Sequence, residues 1–212
     1  MTIIKIEQHC PCCNKKIKIS IVYTMSMFGI NTELSCIGPC RNSPIINVCT
    51  FCNYVFIDCH QSIIKKKLLQ GLVNSLWYSD LYNRHYKSQP FYLLFGLYKI
   101  LGLSAGLQNE MLRYNYYGSN KIKDLELLCE QYEILLQSYD KLDGLYFFMQ
   151  LMIGEYNRRT RQFEKAKDIF MKLKQTTKSD MDERELQLIH KRCDFQLKLL
   201  KQKNDKLEIY KF

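Results

Sequence analysis

Residues 10–14 read Cys-Pro-Cys-Cys-Asn, and residues 49–53 read Cys-Thr-Phe-Cys-Asn. Each holds a CxxC turn, Cys10 with Cys13 and Cys49 with Cys52, and 35 residues lie between the two turns. One CxxC turn presents two sulfurs to one side of an ion, and a second, distant one closes the other half of a tetrahedron. Pro11 stiffens the first turn by fixing φ. Asn14 and Asn53 each follow the last cysteine of a turn, where the backbone often needs positive φ, and Asn tolerates that better than most residues. The quartet Cys10, Cys13, Cys49 and Cys52 therefore predicts one structural Zn²⁺. A fully cysteine-ligated ion has no open position for water, so no catalytic metal is expected.

Eight of the 10 cysteines precede residue 60, which marks the N-terminal part as a lobe of its own. No secretory leader is read in residues 1–9, so the chain is expected in the reducing cytoplasm, where clustered cysteines are metal ligands more often than disulfides. Cys36 and Cys40 form a CxxxC turn, and Cys59 and His60 follow the second knuckle. These four could hold a second zinc, or they could fill small buried spaces and cap a turn. Four thiolates around Zn²⁺ leave a charge of about −2. Lys15 and Lys16 could offset it, or they could be a solvated strand edge.

Outward from the knuckles, residues 3–6 and 16–23 carry the β-branched, alternating pattern of strands, and residues 45–48 form a short third strand. Gly29 to Asn31 and residues 37–44 supply turns. Helical spacing begins near Ser62. Ile64, Leu68, Leu72 and Leu76, widened by Trp77 and Leu81, predict one helix. Pro90 suits the first turn of the next, and residues 91–103 are apolar on most faces, as a central helix is. A helix follows over residues 107–116. Asn120 caps another over 121–139, with Ile122, Leu125, Cys129, Tyr132 and Leu136 on one face. Residues 142–160 and 162–174 form an antiparallel pair. Ser179 with Asp182 has capping-box spacing before a last helix over residues 180–203, striped by Leu186, Ile189, Cys193, Leu197 and Leu200. Cys129 and Cys193 are expected in the core. The tail from Asn204 is expected to be loose. The fold class is α+β, mostly α: a zinc-ribbon-like domain over residues 1–60, then a tetratricopeptide-like array of about six to seven helices over 61–212.

That array is named for residues 150–173. Gly154, Ala166 and Phe170 fit the spacing of one tetratricopeptide repeat, in which small residues let two helices approach. Asn157 stands where Tyr is usual, and Lys178 where Pro often ends the unit. A single repeat cannot bury its own faces, so the neighbouring helices must stack on it. Taken together, CPCCN (10–14), NSPIINVCTFCNYVF (42–56) and IGEYNRRTRQFEKA (153–166) make the chain resemble the bacterial domain-of-unknown-function family numbered 2225. The resemblance spans roughly residues 8–175. Asn14 and Asn53 stand where glycine is usual, and Thr50 replaces Pro. The resemblance implies a fold and no activity.

The formal net charge is +10, spread as about +2 over residues 1–60, +4 over 61–88, −2 over 89–154 and +6 over 155–212. The longest apolar stretch, residues 91–107, is interrupted by Lys99 and is shorter than the roughly 20 residues that cross a bilayer, so no membrane partner is expected. No phosphate loop, nucleotide fingerprint or HExxH is found, and the four histidines are scattered, so no catalytic residue is assigned and no enzyme is expected. The expected function is a zinc-binding adaptor whose helical surface binds a protein. Tyr114, Tyr116, Tyr117, Tyr146, Phe147 and Phe148 are candidates to line that surface or to fill the core. The alternative is a zinc-ribbon protein that binds RNA or DNA, with Lys65–Lys67, Arg158, Arg159 and Arg161 on phosphates. Arg158, Arg159 and Arg161 could equally hold an acidic segment or compensate a helix C-terminus.

Overall fold

A computed structural model describes residues 2–24, 29–30, 36–37, 44–57, 66–119, 121–139, 144–177 and 182–208. They form six strands and eight helices, and the architecture is α+β, mostly α. The chain gathers into two compact units, one of residues 1–27 and 38–119, the other of residues 28–37 and 120–212.

In the first unit, β1 (Thr2–His9) pairs antiparallel with β2 (Lys16–Thr24), from His9 opposite Lys16 to Ile3 opposite Val22. Side chains alternate as the pleat requires. Ile4, Ile6, Ile17 and Ile19 turn inward, and Lys5, Glu7 and Lys18 face out. Gly29, expected in a turn, lies instead in a short strand: β3 (Gly29–Ile30) pairs with β4 (Cys36–Ile37) in the second unit. β5 (Asn47–Val48) pairs with β6 (Val55–Phe56), so each knuckle is the tip of an antiparallel hairpin.

The single helix expected from Ser62 to Leu81 is two, α1 (Lys66–Val73) and α2 (Leu76–His85). Ser75 makes the break, because its hydroxyl accepts the Tyr78 N–H at 3.2 Å and caps α2. The four-residue stripe does not survive the break. Leu69, Val73 and Tyr78 are buried, while Leu68 is 56% and Leu76 90% exposed. This split is why the described residues hold eight helices. α3 (Pro90–Ile100) starts with Pro90 in its first turn and buries Leu93, Leu94, Phe95, Leu97 and Tyr98, as a central helix should. Gly102, at φ +63°, turns the chain into α4 (Ala105–Ser119).

The second unit is built on α6. α5 (Ile122–Leu136) begins after Lys121 with no side-chain cap, and Asn120 lies outside the described residues. It buries Leu125, Leu128, Cys129 and Tyr132, but Ile122 is exposed rather than part of the face. α6 (Gly144–Arg159) is buried along the whole run from Leu151 to Arg158. α7 (Phe163–Lys174) folds back on it with Ala166 and Phe170 fully buried. A Cβ on Gly154 would lie 2.6 Å from Phe170 Cε1, so the small residue sets this approach. The turn between them is a Schellman motif: Gln162 N–H donates to Asn157 O at 2.8 Å and Arg161 N–H to Arg158 O at 3.1 Å, with Arg161 at φ +65°.

α8 (Glu183–Lys201) starts one turn later than the capping-box reading placed it, with Asp182 as the cap and its carboxylate accepting the Arg184 N–H at 2.8 Å. Ser179 lies outside the described residues. Ile189, Cys193 and Leu200 of α8 meet Phe147, Leu151, Phe170 and Leu173 in one core. The segment after α8 is tied down rather than loose. Arg158 donates to the carbonyls of Asn204 and Lys206, and Arg161 Nε reaches Asp205 at 2.6 Å.

Candidate metal centre

The two hairpin tips have the same backbone. Cys10 N–H donates to Lys15 O at 2.9 Å and Asn14 N–H to Cys10 O at 2.9 Å; Cys49 N–H donates to Tyr54 O at 2.9 Å and Asn53 N–H to Cys49 O at 2.8 Å. Asn14 sits at φ 63° and Asn53 at φ 58°, the positive values that their place after each CxxC predicted. Asn47 joins the two halves. Its buried amide accepts the Ser20 N–H at 2.9 Å and donates to Ser20 O at 3.1 Å, which holds β5 beside β2 and brings the second tip to the first.

The outcome is four sulfurs in one place. The Sγ atoms of Cys10, Cys13, Cys49 and Cys52 all lie within 4.8 Å of one another. Cys10 and Cys52 are 3.8 Å apart, and Cys13 and Cys49 are 3.6 Å apart. All four are free thiols. A tetrahedral site with metal–sulfur bonds near 2.3 Å has sulfur–sulfur edges of about 3.8 Å, which the Cys10–Cys52 and Cys13–Cys49 pairs match. These cysteines can hold a metal ion, and the all-sulfur donor set is consistent with zinc.

Burial pushes the Cys10 thiol up and carries Cys52 up to about 12. At Cys13, burial also raises the pKa, but hydrogen bonding at the Lys15 backbone and from the neighbouring thiols outweighs it and lowers the net value. A metal must displace these thiol protons on binding, so affinity for it rises with pH. The two lysines beside the first knuckle part ways: Lys15 reaches a residue of the second knuckle, and Lys16 pairs along the strands. Lys15 Nζ lies 4.6 Å from the centre of the Phe51 ring, and Lys16 pairs with Glu7 at 2.5 Å. The strand-edge reading holds for Lys16.

Two helices clasp the tips. Gln70 of α1 donates to Cys12 O at 2.7 Å. Tyr78 of α2, itself buried, donates to Asn53 O at 2.9 Å and accepts the Val55 N–H at 3.0 Å. Asn47, Gln70 and Tyr78 were not singled out in the sequence, since each acts across tens of residues and carries no local motif. Cys12 is buried beside the quartet, and burial pushes its thiol up to about 11. Cys40, Cys59 and His60 lie outside the described residues, as does the Cys36 side chain, so the possible second zinc site does too.

The other sequence candidates fall into the core. Cys129 and Cys193 are buried, each pushed up to about 12 by burial, and Asn157 donates to Cys129 Sγ at 3.3 Å. Of the six aromatic candidates, Tyr116 and Phe147 are buried and the other four are half-buried. Arg158 is wholly buried: it forms an ion pair with Glu155 at 2.7 Å and donates to Gln196 at 3.0 Å. Among the described residues, no helix is long and apolar enough to cross a membrane. No family model, no curated protein and no solved structure matches the chain.

Proposed function

We propose that this chain is a non-catalytic, cytoplasmic zinc-binding adaptor: one Zn²⁺ on Cys10, Cys13, Cys49 and Cys52 stabilises the lobe, and the helical surface binds a protein partner. The observation that carries the proposal is the convergence of the four sulfurs within 4.8 Å at the tips of two hairpins that α1 and α2 grip through Gln70 and Tyr78. A closed four-cysteine set supplies structure and offers no position for a substrate.

The protein-partner reading is preferred to nucleic-acid binding because Arg158, proposed to contact phosphate, is wholly buried against Glu155. Arg161 pairs with Asp205 at the surface. Elemental analysis of purified, reduced full-length chain should find close to one zinc per chain; near zero in metal-replete protein overturns the structural-zinc half. Near two would place a second ion on Cys36, Cys40, Cys59 and His60. For the other half, cross-linking in native extract should capture a protein that survives nuclease treatment. Capture abolished by nuclease would favour the RNA or DNA reading.

A further inference from the structure

An apolar groove of 320 Å³ runs between α1 and the end of α3. Leu68 and Leu72 form one wall, Ile100 and Leu101 the other, and Gly71 leaves room between them, with nothing within 4 Å of where its Cβ would be. Ile100 is 53% exposed, and Leu68 is exposed to a similar degree. The groove's lining is almost wholly apolar, so leucine-type side chains of a partner could fill it. Lys67 stands on the rim, with Lys66 and Lys99 exposed on the same two helices.

The sequence that builds the two helices and the segment between them is basic. Between Gln61 and Asn109 the chain carries six lysines and arginines and a single acid, Asp80. Asp80 is bound to Arg84 at 2.6 Å. Neither α1 nor α3 contains a carboxylate, and no ion pair among the described residues engages Lys66, Lys67 or Lys99. An aliphatic slot with the Lys67 ammonium on its rim, Lys66 exposed on the same helix and Lys99 over the Phe95 ring at 6.0 Å is complementary to a helix with leucine-type anchors on one face and carboxylates beside them.

We infer that the groove between α1 and α3 docks an acidic amphipathic helix of the partner protein. This rests on the adaptor reading for the existence of that partner and adds its chemistry and its place of contact. Because Gln70 of α1 is bonded to the first knuckle at Cys12 O, the metal lobe holds one wall of the groove in position.

The test titrates full-length, zinc-loaded chain with a fluorescein-labelled peptide of about 18 residues, leucine at helical spacing and glutamate elsewhere, and with its lysine counterpart. The glutamate peptide should bind saturably and the lysine peptide should not. Leu68→Asp and Ile100→Asp, both at exposed positions, should each weaken binding about tenfold or more while zinc content and thermal unfolding stay unchanged. Lys67→Glu with Lys99→Glu should reverse the preference between the two peptides. Equal binding of both peptides, no binding, or binding indifferent to all these variants overturns the inference. So does a wild-type chain that self-associates in sedimentation and is made monomeric by Leu68→Asp, which would give the groove to a second copy. Binding to phosphatidylglycerol vesicles in place of the peptide would also overturn it. A cross-linked partner that Leu68→Asp still captures would sink the groove and leave the adaptor reading standing. Absence of any protein cross-link would sink the adaptor reading, and the peptide titration would still judge the groove.

Discussion

Gly154 and Gly71 are both helical glycines, and their surroundings give them opposite roles. A methyl on Gly154 would meet Phe170 at 2.6 and 2.7 Å, and Phe170 is fully buried and cannot swing aside. Gly154→Ala gains about 1 kcal/mol of helix propensity but adds overpacking strain of about 1–3 kcal/mol, so the net change should be destabilising. Gly71 has nothing within 4 Å of its missing Cβ, and Gly71→Ala should stabilise by about 0.5–1 kcal/mol. Urea unfolding of the two variants checks the contrast; the same sign for both would refute this account of the α6–α7 approach. Residue type made some of these roles legible and hid others. Asn14 and Asn53 announced positive φ because Asn is a common occupant of that region, and the repeat spacing marked Gly154. Arg161 adopts φ +65° with no such signal, because the Schellman bonds and the pairing with Asp205 hold it there. Arg158 read as a surface charge because its partners, Glu155 aside, lie some 40 residues away in α8 and the segment after it.

At the scale of elements, periodicity located the helices, and caps decided where they stop. The signal for the α1–α2 break was present in Asn74-Ser75, a pair that favours helix starts, but a regular spacing of Leu68, Leu72 and Leu76 overrode it in the reading. Burial follows the cap and not the spacing. The consequence is functional, since the break aims Tyr78 inward at the second knuckle and leaves Leu68 outside to line the groove. Burial pushes the Tyr78 phenol well above its ordinary value, so it stays a proton donor to Asn53 O at any ordinary pH. Tyr78→Phe keeps the ring and removes both hydrogen bonds. The buried Val55 N–H then has lost its partner, a cost of about 1–3 kcal/mol. The loss should show as lower stability and as faster hydrogen exchange at Val55 with the metal still bound. Unchanged exchange there would mean that the clasp between α2 and the knuckle is dispensable.

Across the whole molecule, the two kinds of core differ in what holds them. The unit containing α5 to α8 closes on its own apolar residues, from Phe147 to Leu200, with the Arg158–Glu155 pair inside it. Among its described residues the knuckle lobe buries, beside its cysteines, Ile17, Ile19 and the run from Tyr54 to Ile57, a small apolar core for such a piece to rest on alone. On the zinc reading proposed above, metal binding energy is folding energy for the lobe. Cys49→Ser removes one of four ligands and should release protection from hydrogen exchange across residues 2–24 and 44–57. Protection should also fall in α1 and α2, because Gln70 and Tyr78 bond to backbone atoms of the knuckles that the proposed ion would hold in register. α6 and α7 should keep their protection, since the core cluster they share with α8 contains no residue of the lobe. Chelation of the wild-type chain at neutral pH should reproduce the pattern, and added zinc should reverse it in the wild type alone. Loss confined to the strands would mean that the helices do not lean on the ion. Uniform loss over α1 to α8 would mean that the two units fold as one.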